Sequence, residues 1–198
     1  MDDRKTRSDG DRSRDRILDT AARLATVQGL QGLSIGQVAA ESGMSKSGVY
    51  GLFGSKEVLQ MATVDRARDV FLAEVIAPAA GAAPGVAQMK ALAGRYLDYS
   101  RRRVWPGGCF FRTVASEMGA LAGPVRDRIA AEQKGWRSLF VSNAREAIRL
   151  GELRAGEDPQ QLATEITCLL VGADIAFVLH GDARILNQVG AAIAARLR

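Results

Sequence analysis

The chain has one histidine, two cysteines and five lysines in 198 residues, and each scarcity excludes something. Two cysteines cannot build a disulfide framework, so the sequence reads as a protein of a reducing compartment. The single His180 cannot supply a histidine metal cluster, and neither Cys109 nor Cys168 sits in a C-x-x-C, so no metal is expected. Gly107-Gly108 lacks the following lysine and the preceding strand of a phosphate loop, and no cofactor is expected. A Cys109–His180 nucleophile pair has no third group to orient it, so no catalytic residues are expected. Strict alternation and hairpin signals are missing, which excludes a sheet. The longest apolar run, Ile166–Leu179, spans 14 residues and contains Asp174, which reads as too short and too polar for a membrane span. Residues 1–16 hold no apolar run, so the expectation is a cytoplasmic protein with no leader and no membrane partner.

Apolar residues at 47% and charged residues at 25% are the balance of an ordinary globular protein with a real core. The net charge of +5 is carried mostly by arginine and points only faintly to an acidic partner. Residues 1–14 alternate basic residues with aspartate. Their composition reads as a flexible, solvated arm, or as a basic arm that reaches DNA phosphate or the minor groove. From Ser13 onward apolar residues recur at helical spacing. The segments break at Gly29, Gly43, Gly54, the linker 77–85, Pro106-Gly107-Gly108 and Gly151, and between about Leu179 and a cap at Asp182. The expected fold is all-α with about nine helices. Its domains are an arm (1–14), a helix-turn-helix (15–60) and a larger helical domain (61–198).

The informative stretch is Ser34 to Lys56. Ser34-Ile-Gly-Gln37 has the form of a capping box, in which hydroxyl and amide satisfy each other's orphan N–H groups. Ser45 and Ser55 sit where N-caps belong, and Gly43 allows the chain to reverse with positive φ. Ile35, Val38, Ala39, Val49 and Phe53 can lock two short helices together. The second helix is left with Ser45, Lys46, Ser47, Gly48 and Tyr50 outward, residues small, polar and basic enough to enter a major groove. Amides at the helix starts after Ser34 and Ser55 can hold phosphate. Residues 1–56 carry a net charge of only +2, so placement of charge matters more than its sum.

These residues resemble the TetR/AcrR family of transcriptional regulators. The resemblance runs from Ile17-Leu18-x-x-Ala21-Ala22 through Leu33-Ser34-x-x-x-Val38-Ala39 and Gly43-Met44-Ser45-Lys46-Ser47-Gly48-Val49-Tyr50 to Phe53-x-Ser55-Lys56-Glu57-x-Leu59. It implies a homodimeric, ligand-responsive repressor on a palindromic double-stranded DNA operator, released by a small-molecule effector. It implies DNA contacts at Ser34, Ser45, Lys46, Ser47, Gly48, Tyr50 and Lys56, with Gln37 as an extra one. Leu52 departs from the polar ring the family often carries there, and Gly51 offers no replacement.

Beyond Leu59 the likeness is architectural, a helical ligand-binding and dimerisation domain. Tyr96, Trp105, Cys109, Phe110, Glu117, Met118, Trp136, Phe140, Asn143, Asp174 and Phe177 gather soft and polar side chains suited to a small-molecule cavity. Leu169, Gly172, Ala173, Ala176 and Leu179, with Ile185, Val189 and Ile193, form stripes suited to a two-fold dimer interface. Two other readings stand beside the repressor. One is a regulator switched by oxidation or electrophiles at Cys109. The other is a helical protein-interaction module without DNA binding.

Overall fold

The computed structural model describes residues 3–198; the side chains of residues 3–9 and of Asp11 lie outside the described residues. Among the described residues there are nine helices and no strand. They are α1 (Asp3–Gln28), α2 (Ile35–Ser42), α3 (Lys46–Phe53), α4 (Lys56–Phe71), α5 (Val86–Arg101), α6 (Phe110–Met118), α7 (Pro124–Arg149), α8 (Pro159–His180) and α9 (Arg184–Arg196). α4 is prolonged by a π-turn at Leu72–Ile76 and a short piece at Ala77–Ala79. Pro78 has no N–H to donate, and the chain widens into the π-turn just before it. The linker therefore begins later than residue 77. The arm expected at 1–14 also differs, because α1 already starts at Asp3. Opposite charges recur there at four-residue spacing, which supports helix.

The chain divides into two compact units. The first holds residues up to Asp69 together with Trp105–Ala130; the second holds Val70–Val104 and Ala131–Arg198. The first unit therefore includes α6 as well as the expected helix-turn-helix segment 15–60. The core of that unit is Ile17, Leu18, Ala21 and Ala25 of α1, with Leu30, Leu33, Val38, Val49, Phe53, Leu59, Phe110 and Val114, all buried. In the second unit an aromatic cluster dominates. Trp136 stacks on Tyr96 with centroids 5.9 Å apart and meets Phe71 and Phe140 edge-on at 5.2 and 4.9 Å.

α8 begins as its sequence demands. Asp158 accepts N–H bonds from Gln160 and Gln161 at 2.8 and 3.3 Å, and Pro159 opens the first turn. Gly181 ends the helix at φ +70°. These caps lengthen the helix past the 14-residue apolar run to 22 residues. By length and composition α8 is long and apolar enough to cross a membrane, a test that the core helix of a soluble protein also meets, and 39% of its most apolar window is buried within the protein.

The second unit closes on an ion cluster. Arg196 of α9 donates to Glu157 at 2.6 Å and to Glu165 of α8 at 2.7 Å, and the Glu157 side chain is only 5% exposed. The hydrogen bond from Arg196 holds the Glu157 carboxyl below its ordinary value of 4.5, against desolvation, which raises it. A depressed carboxyl stabilises the fold above its unfolded pKa and loses that contribution as pH falls through its folded one. Glu157→Gln is therefore expected to lower the melting temperature at pH 7, with the difference from the parent shrinking as pH drops below about 4. Thermal melts followed by circular dichroism across pH 3–7 check it.

Candidate nucleic-acid interface and sensor interior

Three serines set the reading head. Ser34 has extended backbone (φ −127°, ψ 149°), and its hydroxyl accepts the Gln37 N–H at 3.2 Å. Gly43 ends α2 at φ +68°, where other residues would be strained. Ser45 then caps α3 by accepting the Gly48 N–H at 3.0 Å, and its hydroxyl lies 3.2 Å from that of Ser47. A Cβ on Gly48 would lie 3.0 Å from that capping oxygen, so glycine leaves the cap uncrowded. Ser55 repeats the device for α4, accepting the Val58 N–H at 3.2 Å.

Burial then decides what faces outward. Val49 and Phe53 are buried, which leaves Ser45, Lys46, Ser47 and Tyr50 exposed, Tyr50 at 59%. The Lys46 stem passes beside Gly36, 4.0 Å from where a Cβ would stand. α1 braces the pair from behind: the Arg14 guanidinium lies 5.7 Å from the Phe53 ring centroid, and Arg16 donates to the Met44 sulfur at 3.5 Å. Leu52 is 46% exposed and apolar, so it adds no phosphate donor.

Two expected DNA contacts are differently engaged. The Gln37 amide does not return to Ser34 as a capping box requires. It exchanges two 2.8 Å hydrogen bonds with the Gln28 amide of α1. Gln28, nine residues upstream, is a side-chain partner that motif spacing does not reveal. Lys56 donates to the Gln31 carbonyl in the α1–α2 turn.

The eleven expected cavity residues do not share one unit. Tyr96, Trp136, Phe140, Asn143, Asp174 and Phe177 lie in the second; Trp105, Cys109, Phe110, Glu117 and Met118 lie in the first. Asn143 spends its side chain on backbone, accepting the Gly85 N–H at 3.0 Å and donating to the Leu139 carbonyl at 2.8 Å. Glu117 accepts the Leu30 and Gln31 N–H groups at 2.7 and 2.8 Å. Cys109 is buried and Cys168 exposed. The Trp105 indole N–H, expected at the cavity, and the Ser100 hydroxyl of α5, 1% exposed and not among the expected residues, are both buried without a hydrogen-bond partner. Ser100 was legible only as the residue four after Tyr96, on the same helix face.

A cleft of about 260 Å³ opens in the second unit, lined by Gln133, Lys134, Trp136, Arg137 and Thr167. Of the expected dimer residues, Ala173, Val189 and Ile193 are buried within the chain itself, and Ile185 is half-buried. The outward face of α8 is Leu169, Gly172, Ile175, Ala176 and Leu179, and that of α9 includes Gln188, Ala191, Ala192 and Ala195.

A capped pair of short helices, joined through a glycine turn and presenting Ser45, Lys46, Ser47 and Tyr50, defines a helix-turn-helix DNA-binding regulator. The chain belongs to the TetR family of bacterial regulatory proteins. Residues 17–62 match the tetR-family model of bacterial regulatory proteins, and residues 85–193 match the tetracyclin repressor-like C-terminal domain. It is thus a ligand-responsive, DNA-binding transcriptional regulator. A TetR transcriptional regulator from Chloroflexus aurantiacus J-10-FL is 27% identical, superposes with a TM-score of 0.88, and each chain covers 96% of the other. AibR, solved with isovaleryl coenzyme A and operator DNA, is 24% identical with a TM-score of 0.72, over 92% of this chain and 97% of its own. A TetR-family regulator from Cytophaga hutchinsonii shares 20% identity and a TM-score of 0.80, over 96% and 94% of the two chains. No curated protein matches the chain.

Proposed function

We propose that this protein is a cytoplasmic, homodimeric repressor that reads a palindromic operator and leaves it when an organic effector occupies the second unit. The observation that carries the DNA half is the outward set Ser45, Lys46, Ser47 and Tyr50 on a capped recognition helix. Lys46 and the amides after Ser34 meet phosphate; Ser45, Ser47 and Tyr50 meet base edges and backbone. Ser34 acts through its cap. Gln37 and Lys56 hold the frame, and Gly48 admits close approach.

The effector half rests on the aromatic cluster. Tyr96, Trp136 and Phe140 offer ring faces, and the buried Ser100 hydroxyl offers a hydrogen bond that no protein group takes. Lys134 and Arg137 at the cleft favour an organic anion. AibR, with an acyl thioester and operator DNA in one structure, supports pairing the two activities on this fold. The exposed apolar face of α8 and the alanine face of α9 support a two-fold four-helix interface. Leu179, at 72% exposure, stands at its rim.

Gel shifts with DNA flanking the gene, repeated against a panel of small organic acids, test this reading. The parent is expected to shift a palindromic site as a dimer and to release it with one class of acid. Trp136→Ala is expected to raise the effector concentration for release about tenfold or more, with operator affinity unchanged in its absence. Equal loss of both activities would point to folding instead.

A further inference from the structure

We propose that Glu117 is a positioning residue for operator binding, whose carboxylate pins the α1–α2 turn and thereby sets the helix-turn-helix against DNA. The turn runs from Gly29 to Leu33. Glu117 Oε2 accepts the Leu30 N–H at 2.7 Å, and Oε1 accepts the Gln31 N–H at 2.8 Å. Each oxygen takes one amide, and both bonds are assisted by the carboxylate charge. The carbonyls of the same two residues are taken from α4: Leu30 accepts from Gln60 at 2.8 Å, and Gln31 accepts from Lys56. Leu30 and Gln31 are therefore each held at both backbone groups, by α6 at the N–H and by α4 at the carbonyl.

The approach is close enough to dictate sequence. Gly29 sits at φ +87°, and a Cβ there would lie 2.7 Å from Glu117 Oε1. Three residues past Gln31 comes Ser34, the cap that starts α2. A shift of the turn is a shift of that cap and of the helix pair behind it. The Gln31 N–H is exposed, so water replaces its missing partner and the fold survives while its geometry loosens.

Charge makes the proposal sharp. An acid on a unit that binds a polyanion repels phosphate, so electrostatics alone predicts that neutralising Glu117 tightens DNA binding. Positioning predicts the reverse. The test uses the full chain and a DNA site selected by the parent protein from a random-sequence pool. Glu117→Ala is expected to weaken binding to that site about tenfold or more. The slope of affinity against salt stays as in the parent, since every phosphate-binding group remains in place. Glu117→Gln, which keeps one acceptor oxygen, falls between the two. Amide hydrogen exchange at Leu30 and Gln31 accelerates in both variants while the melting temperature of Glu117→Gln stays near the parent's. Binding by Glu117→Gln equal to or tighter than the parent's overturns the proposal, as does weakening without faster exchange at those two amides. Lys46→Ala runs alongside: if it binds the site as the parent does, the DNA surface is misassigned, a failure distinguishable from that of Glu117.

Discussion

Gly107→Ala is expected to destabilise strongly the unit that carries the helix-turn-helix. Gly107 lies in the turn before α6. Its N–H donates to the Thr26 hydroxyl at 3.2 Å, and its carbonyl accepts from Arg112 and, at 3.4 Å, from Thr113. A Cβ would land far inside van der Waals contact distance of the Thr26 carbonyl oxygen and 2.9 Å from Thr26 Cβ. Thr26 is 4% exposed and sits within α1, so its carbonyl cannot swing aside as a flexible side chain would. α1 or the turn must move, and the three hydrogen bonds move with it. Overpacking a core costs about 1–3 kcal/mol where side chains can yield, and backbone against backbone belongs at or beyond the top of that range. For a chain of this length the melting temperature should fall by roughly 6–12 °C. Gly94→Ala, on an exposed face of α5 with open space around it, is the control and should hold or raise stability.

The largest effect on DNA binding is expected from Lys46→Ala combined with Tyr50→Ala. The two residues lie four apart on the outward face of α3, whose inward face is Val49 and Phe53. Neither side chain carries the fold: Tyr50 is 59% exposed, and Lys46 is exposed with its stem beside Gly36. Truncating either side chain should cost about 1–3 kcal/mol of binding, so the pair should weaken operator affinity by roughly a hundredfold or more. The salt slope should fall by about 1 for the lysine. Circular dichroism and gel filtration should match the parent. Binding curves at several salt concentrations check both numbers, and a double variant that still binds normally would falsify the assignment.

The reading head was legible in the sequence because its signals are local. Ser34, Ser45 and Ser55 cap helices that begin within three residues of them, and Gly43 turns the chain by its own φ. Glu117 was legible only as a carboxylate in an apolar helix. Its partners are 86 and 87 residues away, and no periodicity encodes them. The capping box at Ser34 failed in one half because Gln28 competes for the Gln37 amide. The cavity residues scattered for another reason. Two cores recruit the same kinds of soft side chain, and composition does not say which core claims Trp105 or Phe110. Val189 and Ile193 show the same limit: their spacing marks a face to be buried, and α9 buries it within its own chain.

The Gln28–Gln37 pair has one further effect. Its two hydrogen bonds join neutral amides, so this pair between α1 and α2, unlike the Glu117 and Lys56 contacts to the adjoining turn, carries no charge for a proton or counterion to change. The contacts to DNA behave oppositely, since each neutralised phosphate releases condensed ions. Rising ionic strength is therefore expected to weaken the DNA contacts while leaving the Gln28–Gln37 pair as it was.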